Sequence, residues 1–108
     1  MYYLGIDGGG TKTKYTLVDE KLKKVMEVEG GTTHIHQVGI EGIRKEITEN
    51  LNKILEGLNI KEEDIAYTFA GIPGYGESLE DKNQIDDLLK DIFNMPYRVD
   101  NDGVNGWA

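Results

Sequence analysis

The sequence predicts an α/β fold in which a five-stranded mixed sheet carries helices packed against it. Its first third contains three segments of alternating apolar and polar residues joined by short polar turns, which is typical of an antiparallel meander. A long segment with apolar residues at three- and four-residue steps follows and predicts a helix. The remainder reads strand, helix, strand, and right-handed crossovers give the strand order 3-2-1-4-5.

The meander and the first helix are bounded by glycines. Gly30-Gly31 is expected to end the sheet run and begin a loop over residues 32–36. The helix is predicted from about Val38, and Gly57 fits its C-terminal stop. The three strands are predicted over residues 2–6, 13–19 and 25–29.

The second half is divided by turn residues. A buried strand is predicted over residues 65–70, and a loop containing Pro73 and three glycines ends it, because these residues tolerate neither helix nor ladder. Ser78 with Asp81 resembles a capping box and predicts the start of a second helix. The last strand is predicted over residues 97–100.

Length and composition narrow the functional class. One domain is expected for 108 residues, and the net charge of −8 without a basic patch argues against a nucleic-acid or acidic-membrane partner. The chain has no cysteine, which removes disulfides and thiolate ligands and is compatible with a cytoplasmic location. No apolar run approaches the ~20 residues of a membrane span.

The stretch Asp7-Gly8-Gly9-Gly10-Thr11-Lys12 lies between the first two predicted strands. Consecutive glycines allow positive φ and let the backbone approach a ligand with no Cβ in the way. Their N–H groups would form an anion-binding concavity, Lys12 adds a positive charge, and the carboxylate of Asp7 suits a hydrated Mg²⁺. The pattern predicts a phosphate site, and the alternative is a plain Asp-Gly hairpin turn.

Two familiar glycine motifs do not describe this stretch. The Walker A pattern and the dinucleotide pattern G-x-G-x-x-G both lead into a helix. Here residues 13–18 alternate and are rich in β-branched side chains, so a strand is predicted instead.

These residues carry a resemblance to a known superfamily. G-I-D-G-G-G-T-K-T-K resembles the first phosphate motif of the sugar kinase, heat-shock chaperone and actin superfamily, and its three-glycine form is similar to that of N-acetylglucosamine kinases and BadF/BadG-type ATPases. F-A-G-I-P-G and V-D-N-D fall where that superfamily has its second glycine loop and catalytic acid. The resemblance implies a ribonuclease H-like half-domain, with residues 1–108 as the N-terminal lobe and a C-terminal lobe beyond them.

The resemblance also implies roles for single residues. Asp102 would be the general base that takes the proton of the acceptor hydroxyl, and the alternative is an N-cap of a following helix. Thr11 would contact the nucleotide's phosphates. Thr11 and Lys12 could equally be ordinary residues of the second strand, with Lys12 solvated. Substrate contacts are expected from Thr33, His34 and Gly71, where His34 stands in place of the asparagine of N-acetylglucosamine kinases.

The function implied by the resemblance is ATP- and Mg²⁺-dependent phosphorylation of an amino sugar or a similar small hydroxyl compound. The full-length protein would contain both lobes and could form a homodimer. The alternative is a BadF/BadG-type ATPase that activates a partner enzyme such as a reductive dehydratase. A third reading is a sugar-sensing regulator, which would keep the pocket without needing Asp102. Downstream cysteine pairs would favour the activator, and a second glycine motif the kinase.

Overall fold

In the computed structural model, which describes residues 1–101, the chain forms five strands and two α-helices. The strand order is β3-β2-β1-β4-β5, with β1–β2 and β2–β3 antiparallel and β1–β4 and β4–β5 parallel. This confirms the predicted mixed sheet and its order. The elements are β1 (Tyr2–Gly8), β2 (Lys12–Val18), β3 (Lys24–Gly31), α1 (Ile35–Leu58), β4 (Ile65–Ile72), α2 (Leu79–Ile92) and β5 (Tyr97–Asn101).

The two faces of the sheet differ, as β1 shows. Leu4 and Ile6 are fully buried beneath the helices, whereas Asp7 is exposed on the opposite face. Both helices pack on the Leu4 face and join one apolar cluster with it. Fully buried members of that cluster include Leu4, Ile6, Tyr15 and Leu17 from the sheet, Ile43, Ile47 and Ile54 from α1, and Ile85 and Leu89 from α2.

The glycine pair at the end of β3 does not end the sheet run, contrary to the prediction. Gly30 and Gly31 pair with Thr13 and Lys12, so the strand continues through both. A Cβ at Gly30 would collide with the Asn50 amide of α1, and the N–H of Gly31 donates to the Glu46 carboxylate at 2.7 Å. These glycines therefore serve the close approach of α1 to β3.

Both ends of α1 differ from their predicted positions. A first turn begins at Ile35, and Gly39 interrupts the helix with a φ of 71°. Gly57 lies inside the helix, against Met26 of β3, and the left-handed residue that ends it is Asn59, with a φ of 54°. The N–H of Asn59 donates to the carbonyl of Glu56 at 3.3 Å. The prediction of Gly57 as the stop was wrong, because the helix continues past it and the left-handed position falls on Asn59.

The start of α2 is capped as predicted. The N–H of Asp81 donates to the Ser78 hydroxyl at 3.1 Å. The Asp81 carboxylate, instead of completing a capping box, accepts from Nε2 of His36 at 2.7 Å and so connects the N-terminal ends of the two helices. None of the helices in residues 1–101 has the length and apolar character needed to cross a membrane.

Candidate functional site

Four residues on four neighbouring strands lie side by side in one row across the sheet. Asp7 pairs with Lys14 on β2 and with Gly71 on β4, and Gly71 pairs with Asp100 on β5. Adjacent strands lie about 4.8 Å apart, so the backbones of Asp7 and Asp100 are separated by roughly 10 Å, with Gly71 between them. By alternation along the strands, all four residues face the side of the sheet opposite to α1 and α2.

This row has the chemistry for a hydrated magnesium ion. Asp7 is exposed, and its neighbour Gly71 has no side chain. Mg²⁺ binds through one or two carboxylates and keeps several waters, so Asp7 could hold it through water. No group of three His, Cys, Asp or Glu residues within residues 1–101 converges as a metal cage.

The first glycine turn contains fewer residues at its tip than the sequence suggests. The N–H of Gly9 donates to the carbonyl of Lys12 at 2.8 Å, which leaves Gly10 and Thr11 at the tip of the hairpin. None of the three glycines adopts the left-handed φ that glycine allows. Conformational freedom therefore does not explain the three glycines of this turn.

Gly8 is required by close packing. A Cβ there would lie 2.6 Å from Cδ of Pro73 and 2.7 Å from both the Gly71 carbonyl oxygen and the Thr33 hydroxyl. Gly10 is the opposite case, since a Cβ there would meet no atom of the described residues within 4 Å. Gly10 therefore leaves open space at the turn that a phosphate could occupy.

A depression of about 290 Å³ adjoins the turn. The N–H groups of Gly10 and Thr11 have no acceptor among residues 1–101, whereas that of Gly9 is used within the hairpin. Two backbone donors, and not three, are thus available to an anion. The depression is lined by Asp7, Gly8, Gly9, Thr11, Lys12 and Lys14.

Two lysines flank the turn on the same strand. Nζ of Lys12 lies 3.3 Å from the Glu29 carboxylate, and both side chains are largely exposed. Lys14, opposite Asp7, also pairs with Glu29 in the sheet register. The structure therefore gives Lys12 a competing anion, and its role toward phosphate stays a prediction. Lys14 was missed, although a hairpin turning at Gly10 and Thr11 pairs it with Asp7.

The segment between β3 and α1 touches both glycine loops. The hydroxyl of Thr32 donates to the carbonyl of Gly9 at 2.7 Å. The hydroxyl of Thr33 is fully buried and lies 3.2 Å from that of Thr13. Because the Thr33 side chain is used inside the fold, its predicted contact with a substrate gains no support from this geometry.

His34 is the residue of this segment that faces the second glycine loop. Its Nδ1 accepts from the N–H of His36 at 3.1 Å, so the neutral ring carries its proton on Nε2. Nε2 lies 3.7 Å from the position of a Cβ at Gly74. His34 thus offers a donor near the loop where the resemblance places the acceptor substrate.

The second glycine loop is held by side chains. Gly74 and Gly76 have φ values of 79° and 87°. The hydroxyl of Tyr75 donates to the Asp86 carboxylate of α2 at 2.6 Å, and the Asn101 amide donates to the Tyr75 carbonyl at 2.9 Å. Burial, reinforced by the bond to Asp86, raises the pKa of Tyr75. The loop is therefore fixed to both α2 and β5.

The proposed base, Asp102, lies outside the described residues. β5 ends at Asn101, directly before it. Asn101 was missed by the sequence reading, as were Thr32 as a partner of the turn and Gln37, whose Nε2 donates to the carbonyl of Gly10 at 3.0 Å. No periodicity or motif marks these contacts, because each joins residues more than twenty positions apart.

The sheet, with its two glycine loops at one edge, is the fold of the sugar kinases and actin-like ATPases. The family model described as BadF/BadG/BcrA/BcrD ATPase matches residues 4–105, and the chain belongs to this family. The family resemblance drawn from the first motif is thereby confirmed. An N-acetylmuramic acid/N-acetylglucosamine kinase of Clostridium acetobutylicum is 29% identical over 94 residues, covering 87% of this chain and 30% of that protein.

Solved structures agree on the fold. A protein of Chromobacterium violaceum provisionally described as an N-acetylglucosamine kinase matches 93% of this chain with a TM-score of 0.66 at 17% identity. A member of the Ppx/GppA family from Aquifex aeolicus matches 94% with a TM-score of 0.57 at 13% identity. The chain covers 34% and 35% of these structures, so it spans about a third of the length of its relatives.

Proposed function

We propose that this chain is the N-terminal lobe of an ATP-dependent kinase whose acceptor is an amino sugar or a similar small hydroxyl compound. The observation that supports this most is that one short segment lies between both glycine loops: Thr32 bonds to the first turn, and the ring of His34 lies beside Gly74 of the second loop. A phosphate bound at the first loop and an acceptor bound at the second would then be neighbours. Membership of the ATPase family and the named activity of the Clostridium relative point the same way.

In this proposal the residues have separate tasks. The N–H groups of Gly10 and Thr11 would bind phosphate oxygens. Asp7 would hold Mg²⁺ through water, and the bound ion would supply neutralisation of the phosphate charge. Asp102 accepts the proton of the acceptor hydroxyl while the hydroxyl oxygen forms a bond to the γ-phosphorus. The bond from that phosphorus to the bridging oxygen breaks, and ADP leaves with the electron pair.

The lobe alone is expected to have no kinase activity. The nucleotide's adenosine and the far side of the cleft would be contacted by a C-terminal lobe, and half a cleft cannot preorganise the transition state. We include a cytoplasmic location in the proposal because the chain has no cysteine. Measurable sugar phosphorylation by the 108-residue chain would contradict the two-lobe part of it.

The proposal is tested by Asp102→Asn in the longer protein that contains this lobe. ADP release would be followed with N-acetylglucosamine, N-acetylmuramic acid, N-acetylmannosamine and glucose in turn. Loss of the base should lower kcat at least ~10²-fold while ATP affinity stays nearly constant. Asp87→Asn, the same chemical change on an exposed face of α2, is the matched control and should leave kcat unchanged. An unaltered rate in Asp102→Asn would remove this residue from the mechanism.

The family match also favours a second candidate, an ATPase that activates a partner enzyme. Such a protein would hydrolyse ATP without any sugar, and its rate would rise with the partner. Sugar-independent ADP release by the longer protein across the whole panel would favour this candidate over the kinase.

A further inference from the structure

We propose that Thr32 and Gln37 are positioning residues that aim two backbone N–H groups of the first glycine turn at the phosphate. The inference rests on the proposed phosphate role of that turn and adds how the turn is oriented. Neither side chain belongs to the glycine motif. Thr32 lies between β3 and α1, and Gln37 lies in the first turn of α1.

The two side chains hold successive carbonyls of the turn. The Thr32 hydroxyl donates to the carbonyl of Gly9 at 2.7 Å, and Nε2 of Gln37 donates to the carbonyl of Gly10 at 3.0 Å. The Thr32 hydroxyl also accepts from the N–H of His34 at 3.1 Å, so the same oxygen is itself fixed by the backbone. Two adjacent peptide units are thereby restrained from the α1 side.

Peptide geometry converts these restraints into a direction for the donors. In a planar trans peptide the carbonyl and the following N–H point to opposite sides. The unit whose carbonyl is held by Thr32 carries the N–H of Gly10, and the unit held by Gln37 carries the N–H of Thr11. Both N–H groups must therefore point away from the α1 segment. These are the two turn donors that have no acceptor among residues 1–101.

The depression beside the turn is separate from the two tethers. Its lining consists of Asp7, Gly8, Gly9, Thr11, Lys12 and Lys14 and includes neither Thr32 nor Gln37. Thr11 therefore borders the depression directly, whereas Gly10 lies next to it at the tip of the turn. An anion in the depression would meet the N–H of Thr11, and the N–H of Gly10, directed to the same side, would reach it from the adjoining tip.

The tethers matter because the hydrogen bond from Gly9 to Lys12 closes the turn without fixing the two peptide units at its tip. A Cβ at Gly10 would touch nothing within 4 Å in the described chain, so side-chain packing does not restrain its peptide units. Glycine units rotate easily, and donors that are already oriented bind an anion without an ordering cost. Loss of one tether should let its peptide unit rotate and weaken phosphate binding by roughly 3- to 10-fold, as expected for one hydrogen bond.

The first experiment tests the hydrogen bond from Gln37 to the Gly10 carbonyl in the absence of a ligand. In Gln37→Met the side chain keeps its length and loses its donor, and Gln37 is exposed, so the fold should be unaffected. The ¹³C resonance of the Gly10 carbonyl should shift in this variant of the labelled chain. Gln84→Met, the same change at the exposed glutamine of α2, is the matched control and should leave that resonance in place.

The second experiment measures binding of inorganic tripolyphosphate by the amide resonances of Gly10 and Thr11. Gln37→Met and Thr32→Val should raise Kd roughly 3- to 10-fold each, whereas Gln84→Met should not change it. Thr32→Ser, which restores the hydroxyl, should recover the affinity. Because Thr32 is half-buried, thermal unfolding of Thr32→Val would be recorded in parallel, and Gln37→Met gives the same test without that concern.

The outcomes separate this inference from the proposed function. Tripolyphosphate binding at the two amides with unchanged affinity in both Gln37→Met and Thr32→Val would overturn the tethering role and leave the phosphate site standing. No response of these amides in the wild-type chain at millimolar tripolyphosphate would overturn the phosphate site and the tethering role together.

Discussion

The two glycine loops of this protein use glycine for different physical reasons. In the first, Gly8 has an ordinary φ and is needed because three other atoms occupy the place of a side chain. In the second, Gly74 has ordinary van der Waals space around it but a φ of 79°, which side chains disfavour. Gly10 of the first loop fits neither description.

The difference separates the glycines that the fold requires from a glycine that the described fold does not require. A glycine that prevents a collision or permits a left-handed φ is explained by stability. Gly10 has open space and no left-handed φ, so the described fold does not require it. A bound phosphate approaching the turn would explain it. Three alanine substitutions test this division, because each places the same methyl group in a different setting.

Gly8→Ala should have the largest effect. Its Cβ would overlap the ring of Pro73, the carbonyl of Gly71 and the hydroxyl of Thr33, and backbone and ring atoms cannot move aside cheaply. We expect a loss of about 3 kcal/mol in the free energy of unfolding. Urea unfolding followed by circular dichroism measures it. A loss below about 1 kcal/mol would mean that β1 and the second loop are less tightly joined than the structure shows.

Gly74→Ala should have an intermediate effect. The new methyl group would sit 3.7 Å from the His34 ring, an ordinary contact, so the cost comes from the left-handed φ alone. That conformation costs a residue with a side chain about 1–2 kcal/mol. Gly74→Asn is the companion variant, because asparagine tolerates this region, and it should recover part of the loss in the same urea experiment. Equal stability of the two variants would show that φ is not the cause.

Gly10→Ala should have the smallest effect on stability, within about 0.5 kcal/mol of the wild type. Its effect should fall on ligand binding, because the methyl group would occupy the space beside the two free N–H groups. We expect weaker tripolyphosphate binding, measured by the Thr11 amide resonance. Gly76→Ala is the contrasting control, since it should lower stability through its φ of 87° without altering that binding. An unchanged affinity of Gly10→Ala for tripolyphosphate would show that Gly10 is an ordinary turn residue without a role in phosphate binding.

Predictions from the sequence are correct where the interacting residues are close in the chain and wrong where they are far apart. Ser78 was identified as a helix cap because the cap and its partner are three residues apart. Gly57 is predicted as a helix stop, but the helix passes through it and ends at the left-handed Asn59. Thr33 was assigned to the substrate, whereas its hydroxyl meets Thr13 in the interior. The assignment of Asp102 stays a prediction.

The amino-acid sequence by itself determined the kinds of elements, their order, the strand order of the sheet and the position of the first turn. Hydrophobic periodicity, turn residues and crossover handedness are sufficient for these, because they act over neighbouring residues or follow general rules. The tertiary structure alone decided which glycines avoid collisions, and that Thr32 and Gln37 hold the turn carbonyls. Those facts depend on atoms brought together from distant parts of the chain, which no local pattern encodes.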